Sequence, residues 1–92
     1  MNINQFKTKN AMETKFEDET QITPYLASAY AEGFCEGEGA SQNDQVRAWS
    51  YLIGTGLAYS LQGWYGRTAN SMIEDGLFEK DGTVNWEYID SL

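Results

Sequence analysis

The side chains that carry most protein chemistry are scarce in this 92-residue chain. It has no histidine and one cysteine, Cys35. Without imidazole there is no Ser-His or Cys-His nucleophile pair, and the commonest metal ligand is missing. One thiol cannot build a structural zinc site. Cys35 stands between Glu32 and Glu36, which would blunt its reactivity, so it reads as a small core residue on a helix. Glu36, Glu38 and Asp44 flank a glycine-bearing loop and could gather a hard cation. A calcium loop needs a denser alternation of oxygen ligands. The acid pair Glu74 and Asp75 has no motif of paired-acid catalysis around it and could instead reach Arg67 across a helix corner. The sequence therefore predicts no catalytic residue, no metal and no cofactor.

One short stretch is more particular. Residues 61–69 read Leu-Gln-Gly-Trp-Tyr-Gly-Arg-Thr-Ala, with two glycines bracketing two large aromatics ahead of an arginine. As a structural corner, Gly63 and Gly66 would shape a tight helix–helix turn, and Trp64 and Tyr65 would cover the end of the core. Arg67 would sit in the first turn of the following helix, where its charge opposes the dipole. That placement predicts acceptors holding it, such as carbonyls at the end of the preceding helix. As a binding site, Trp64, Tyr65 and Arg67 would offer stacking faces and a charge beside free helix amides. No phosphate-loop pattern surrounds them, and the corner reading is preferred. Glu36 and Glu38 are the other candidate binding residues.

The elements that would position these groups are helical. Thr23-Pro24 starts a helix, with threonine as cap and proline in the first helical position. Leu26, Ala29, Tyr30 and Phe34 follow at steps of three and four, and the helix is expected to end near Gly37. Ser41 opens a second helix with Asp44 three residues on, a weakened capping box. Val46, Trp49, Ile53, Leu57 and Leu61 form its apolar face. Gly54 and Gly56 interrupt it, each costing about 1 kcal/mol relative to alanine; a close helix contact, placed at Gly56, or a bend would account for them. A third helix begins around Trp64 to Gly66, carries Ala69, Met72 and Ile73 inward, and stops at Gly76. Asp81-Gly82 marks a turn between Phe78 and Val84, and Asn85 can cap a last helical turn bearing Trp86, Tyr88 and Ile89. The expected fold is all-α: a compact small domain over residues 21–92, with three main helices, a Gly-rich helix–helix corner and a short C-terminal helical turn. Residues 1–20, with Lys7, Lys9 and Lys15 ahead of Glu17, Asp18 and Glu19, read as a polar N-terminal arm.

Composition limits the partners. A hydrophobic content of 41% with 14% aromatics predicts an ordered domain. Fourteen acids against six bases give a net charge of -8. Such a chain repels phosphates, so direct nucleic-acid binding is not expected, whereas a basic protein surface would be attracted. The same charge also serves solubility. No apolar run approaches membrane-spanning length, and a single cysteine fits a reducing compartment.

Residues from about Tyr30 to Gly76 resemble a family of small tailed-bacteriophage proteins of unknown function. The resemblance is carried by "AYAEG" and by "AWSYLIGTGLAYSLQGWYGRTANSMIEDG". Thr55, Gly56, Leu57, Ala58, Leu61, Gln62, Gly63, Tyr65, Gly66, Arg67, Thr68, Ala69, Ile73, Glu74 and Gly76 match the family pattern. The chain departs from it at Gly54, where the family commonly has Asp. The resemblance implies a phage origin, a helical core and a place in the host cytoplasm. With the acidity and the missing catalytic set, it gives the expected function: a non-enzymatic phage accessory protein that binds a host or defence protein. An anti-CRISPR or anti-restriction inhibitor is the sharpest form. The alternatives are a homo-oligomeric sponge for a nucleotide signal and an assembly module without ligand.

Overall fold

A computed structural model describes residues 12–92. The expectation for residues 1–11 lies outside the described residues. Among the described residues the fold is all-α, with no strand, as the three-and-four spacing predicts. Helix α1 is Pro24–Glu32, α2 is Gln42–Gly54, α3 is Leu57–Ser60, α4 is Gly63–Glu74 and α5 is Trp86–Asp90; a 3-10 turn covers Cys35–Gly37.

The start signals act as expected. Thr23 Oγ1 accepts from the Leu26 amide at 3.2 Å, and Ser41 Oγ accepts from the Asp44 amide at 3.1 Å. The stops differ. Helix α1 ends at Gly33, in the left-handed region at φ 78°, not near Gly37. Phe34 therefore leaves the apolar face and is exposed. Gly37 has another role: a side chain there would run into the Ala29 carbonyl, so its bare backbone lets the 3-10 turn fold back onto α1. Cys35 is exposed and outside any α-helix, a correction to its expected core position.

Helix α2 supplies the centre of the core through Ala48, Trp49, Leu52 and Ile53, and packs on α1. Fully burying a side chain such as Leu52 contributes about 1.5–3 kcal/mol. The two glycines expected to interrupt α2 divide the roles between them. Gly56 takes φ 83° with open space beyond it, so it makes the bend. Gly54 makes the close contact: an added Cβ would lie 2.9 Å from the Asp81 carbonyl and would strike Met12. The close contact expected at Gly56 is thus two residues earlier, at Gly54. Because the chain bends there, Leu61 is not on the α2 face and is exposed.

The two end segments close over the other end of α2. Phe78 and Val84 pair in a single antiparallel bridge around the Asp81-Gly82 turn, short of a true hairpin. Gly82, at φ 92°, sits on α2 so tightly that a Cβ would be 2.6 Å from the Ser50 carbonyl. Residues 12–20 do not stand apart as an arm. Phe16 is buried and stacks on Tyr30 with centroids 4.0 Å apart. The Glu13 amide donates to Ser50 Oγ at 2.8 Å, and Ser50 donates to the Gly82 carbonyl at 2.6 Å. One fully buried hydroxyl therefore joins both end segments to α2. Beside it Arg47 approaches Glu13 at 3.5 Å and lies over the Trp86 ring, 4.8 Å from its centroid. The packed domain thus begins by residue 12, not 21.

Candidate functional site

The stretch 61–67 is a corner, though not the one its glycines suggest. The chain reaches it in two steps, through the Gly56 bend and the single turn of α3. Leu61 and Gln62 then run extended, with ψ of -167° and 151°, and α4 starts at Gly63. Gly63 therefore opens a helix and does not end one. Neither Gly63 nor Gly66 has a positive φ. A Cβ on Gly66 would make ordinary 3.6 Å contacts with Ala58 and Tyr59. The turn does not require glycine at either position.

Successive helical residues point about 100° apart, which separates the two aromatics of this corner. Tyr65 turns inward and is 5% exposed. Its hydroxyl donates to the Glu32 carboxylate at the end of α1. Burial, and then that bond, push the phenol pKa up. Tyr65 is a tie between α4 and α1, not a free stacking face. Trp64 turns outward and is 44% exposed. It meets Trp49 edge to face at 5.8 Å and Tyr65 at 5.0 Å, so an exposed indole rests on a rigid aromatic floor. Tyr59 and Leu61 are exposed nearby in the chain.

Arg67 is exposed, with Nη1 lying over Gly63. Among the described residues it makes no ion pair and no hydrogen bond, against the expectation that acceptors hold it. The reason is the early end of α2. The amides of Thr55 and Gly56 already take the Tyr51 and Ile53 carbonyls, and Thr55 Oγ1 bonds Tyr51 as well at 2.7 Å. Those acceptors are spent one short helix before Arg67 is reached. Glu74 and Asp75 stand at the far end of α4, roughly 10 Å along the axis for seven residues, and do not pair with it.

Glu36 and Glu38 belong to a different place. Tyr25 donates to Glu36 at 2.7 Å, which lowers the carboxyl pKa and raises that of the phenol. Glu36 is thus moored at the start of α1, while Glu32, at its end, serves the corner. Glu38 is exposed after the 3-10 turn. The structure brings Trp64, Tyr65 and Arg67 onto one helical turn and does not bring the two glutamates to it. Sequence reasoning missed Glu32 as the phenol's acceptor; its only signal was its place at the end of an apolar face. No three of the Cys, Asp and Glu side chains converge as a metal site among the described residues.

All fourteen carboxylates fall within the described residues. Two of them pair with cations there, Glu13 with Arg47 and Glu19 with Lys15. The corner, with its outward indole and an arginine unpaired among the described residues, thus belongs to a domain in which most carboxylates have no paired cation among the described residues. No helix among the described residues is long and apolar enough to cross a membrane.

A family profile described as a domain of unknown function (DUF7417) matches residues 34–91, well over half of the chain and the whole of the corner. No curated protein and no solved structure gives a significant match.

Proposed function

The chain belongs to the DUF7417 family of domains of unknown function, and we propose that it is a non-catalytic binding module that engages a protein through the α3–α4 corner. The observation that carries this reading is Trp64, an exposed indole held on Trp49 and Tyr65 beside an arginine with no partner of its own among the described residues. Tryptophan, tyrosine and arginine dominate the energetic centres of protein interfaces, because a rigid ring loses little freedom on contact. The net charge of -8 favours a partner with a basic rim and speeds its approach. The resemblance to tailed-phage proteins supports a host or defence protein as that partner, acted on in the host cytoplasm. The nucleotide-sponge reading is less well supported, because burial of Tyr65 removes one of its two stacking faces.

The test is affinity capture from phage-infected host cells with wild-type, Trp64→Ala and Arg67→Ala chains, alongside thermal denaturation. Arg67→Ala is expected to leave the melting temperature nearly unchanged, since no hydrogen bond or ion pair among the described residues is lost. Both substitutions are expected to deplete the same captured protein, and raised salt to weaken its capture. Capture unaffected by either substitution would remove the corner from the interface.

A further inference from the structure

Against α2 lies an open cleft of about 240 Å³. Its walls are Val46 and Trp49 of α2, Met72 of α4, Phe78, and Ile89 of α5, with Ala31 of α1 at the edge. Trp49, Phe78 and Ile89 are already buried by their own neighbours, so the cleft is a preformed feature of the core wall. Gln45 spends its side-chain N–H on the Tyr30 carbonyl at 3.2 Å. The amide of Gln42 is exposed at the rim and carries no hydrogen bond among the described residues. None of the ten lining side chains is charged, although 22% of the chain's residues are. A dry apolar cavity of about 150 Å³ holds a benzene molecule, and sites for drug-sized ligands begin at about 300 Å³. This cleft falls between them. An ionised ligand would lose its hydration there without meeting a countercharge.

We propose that the cleft is a binding site for a small, uncharged, flat aromatic molecule of one or two fused rings, with one hydrogen-bonding group turned to Gln42. The walls supply apolar burial and ring contacts from Trp49 and Phe78, and the Gln42 amide orients the polar edge. The site is separate from the corner: Trp64 does not line it, and the corner's role as an interface does not bear on it.

The probes are indole and its anionic analogue indole-3-acetate, titrated into the isotopically labelled full chain with methyl and amide chemical shifts as readout. Indole is expected to give saturable shifts centred on Val46, Met72 and Ile89, with at least about tenfold preference over indole-3-acetate. Ala31→Phe, which places a ring in the cleft from its edge, is expected to abolish the indole shifts. Should that variant not fold, Gln42→Lys carries the test from an exposed position: a cation at the rim should turn the preference toward indole-3-acetate. The proposal is overturned if indole gives no saturable shift up to its solubility, or if the shifts centre on Trp64 and Leu61. Equal binding of the two probes, or an unchanged preference in Gln42→Lys, also overturns it. Shifts at the same methyls that grow with protein concentration alone would give the cleft to a second copy of the chain, and would likewise overturn it.

Discussion

Ser50 shows how much one small side chain can hold. Its hydroxyl accepts from the Glu13 amide and donates to the Gly82 carbonyl, with no solvent access. Ser50→Ala keeps the helix and the volume nearly unchanged but leaves a donor and an acceptor without a partner. A buried polar group left unsatisfied costs about 1–3 kcal/mol. Urea denaturation of Ser50→Ala should show a loss in that range; a midpoint equal to wild type would mean that water replaces the hydroxyl. Asp81 acts on the same turn. Its carboxylate accepts from the Thr83 amide at 2.9 Å, which lowers its pKa below the ordinary 3.8. A depressed folded-state pKa stabilises the fold above the unfolded value, and the contribution is lost as pH falls through the folded value. Stability should therefore fall below about pH 4, and Asp81→Asn should flatten that acid limb. The effect is small because the carboxylate is solvent-screened. An acid limb identical in the variant would assign the loss to other carboxylates.

At the scale of elements, the glycines separate into benders and close neighbours. Gly82→Ala combines a positive φ with a Cβ 2.6 Å from the Ser50 carbonyl and 2.8 Å from the Gly54 nitrogen. Gly54→Ala meets the Asp81 carbonyl and the movable Met12 side chain at an ordinary φ. Gly56→Ala meets nothing and carries only the left-handed penalty, about 1–2 kcal/mol. Thermal denaturation should rank Gly82→Ala as the most damaging, and Gly56→Asn as milder than Gly56→Ala, because asparagine tolerates that region. The reverse order would place the close contact elsewhere. These positions also show what the sequence could reveal. Thr23, Ser41 and the three-and-four spacing announced the helices, because caps and amphipathic faces are local. Gly54 and Gly56 announced an interruption, but which one bends depends on Asp81, a partner 27 residues further on in the chain. The corner was legible as a corner. The opposite fates of Trp64 and Tyr65 were not, because they follow from where α4 begins, which the Gly56 bend sets. Ser50 carried no local signal and Glu32 only its place at the end of an apolar face, since each is defined by a group distant in sequence.

The whole molecule is a small core inside an acidic shell. Twelve of its fourteen carboxylates have no cation paired to them among the described residues. Their mutual repulsion disfavours the compact state, and salt shortens its reach from about 10 Å at 0.1 M to about 3 Å at 1 M. The melting temperature should therefore rise by a few degrees as salt is raised, while a fall would show that the two ion pairs outweigh the repulsion. The seam between the end segments has a consequence in time as well. The Trp86 indole donates to Glu13, 73 residues earlier in the chain, and Ser50 waits for Gly82. Contacts this distant in sequence form late, because a long loop must close before they repay it. During synthesis α1 and α2 can meet soon after they emerge, but the bare flank of α2 at Gly54 stays uncovered until the 81–82 turn has been made. Until then the nascent chain leaves the Ser50 hydroxyl without the Gly82 carbonyl it donates to in the finished fold.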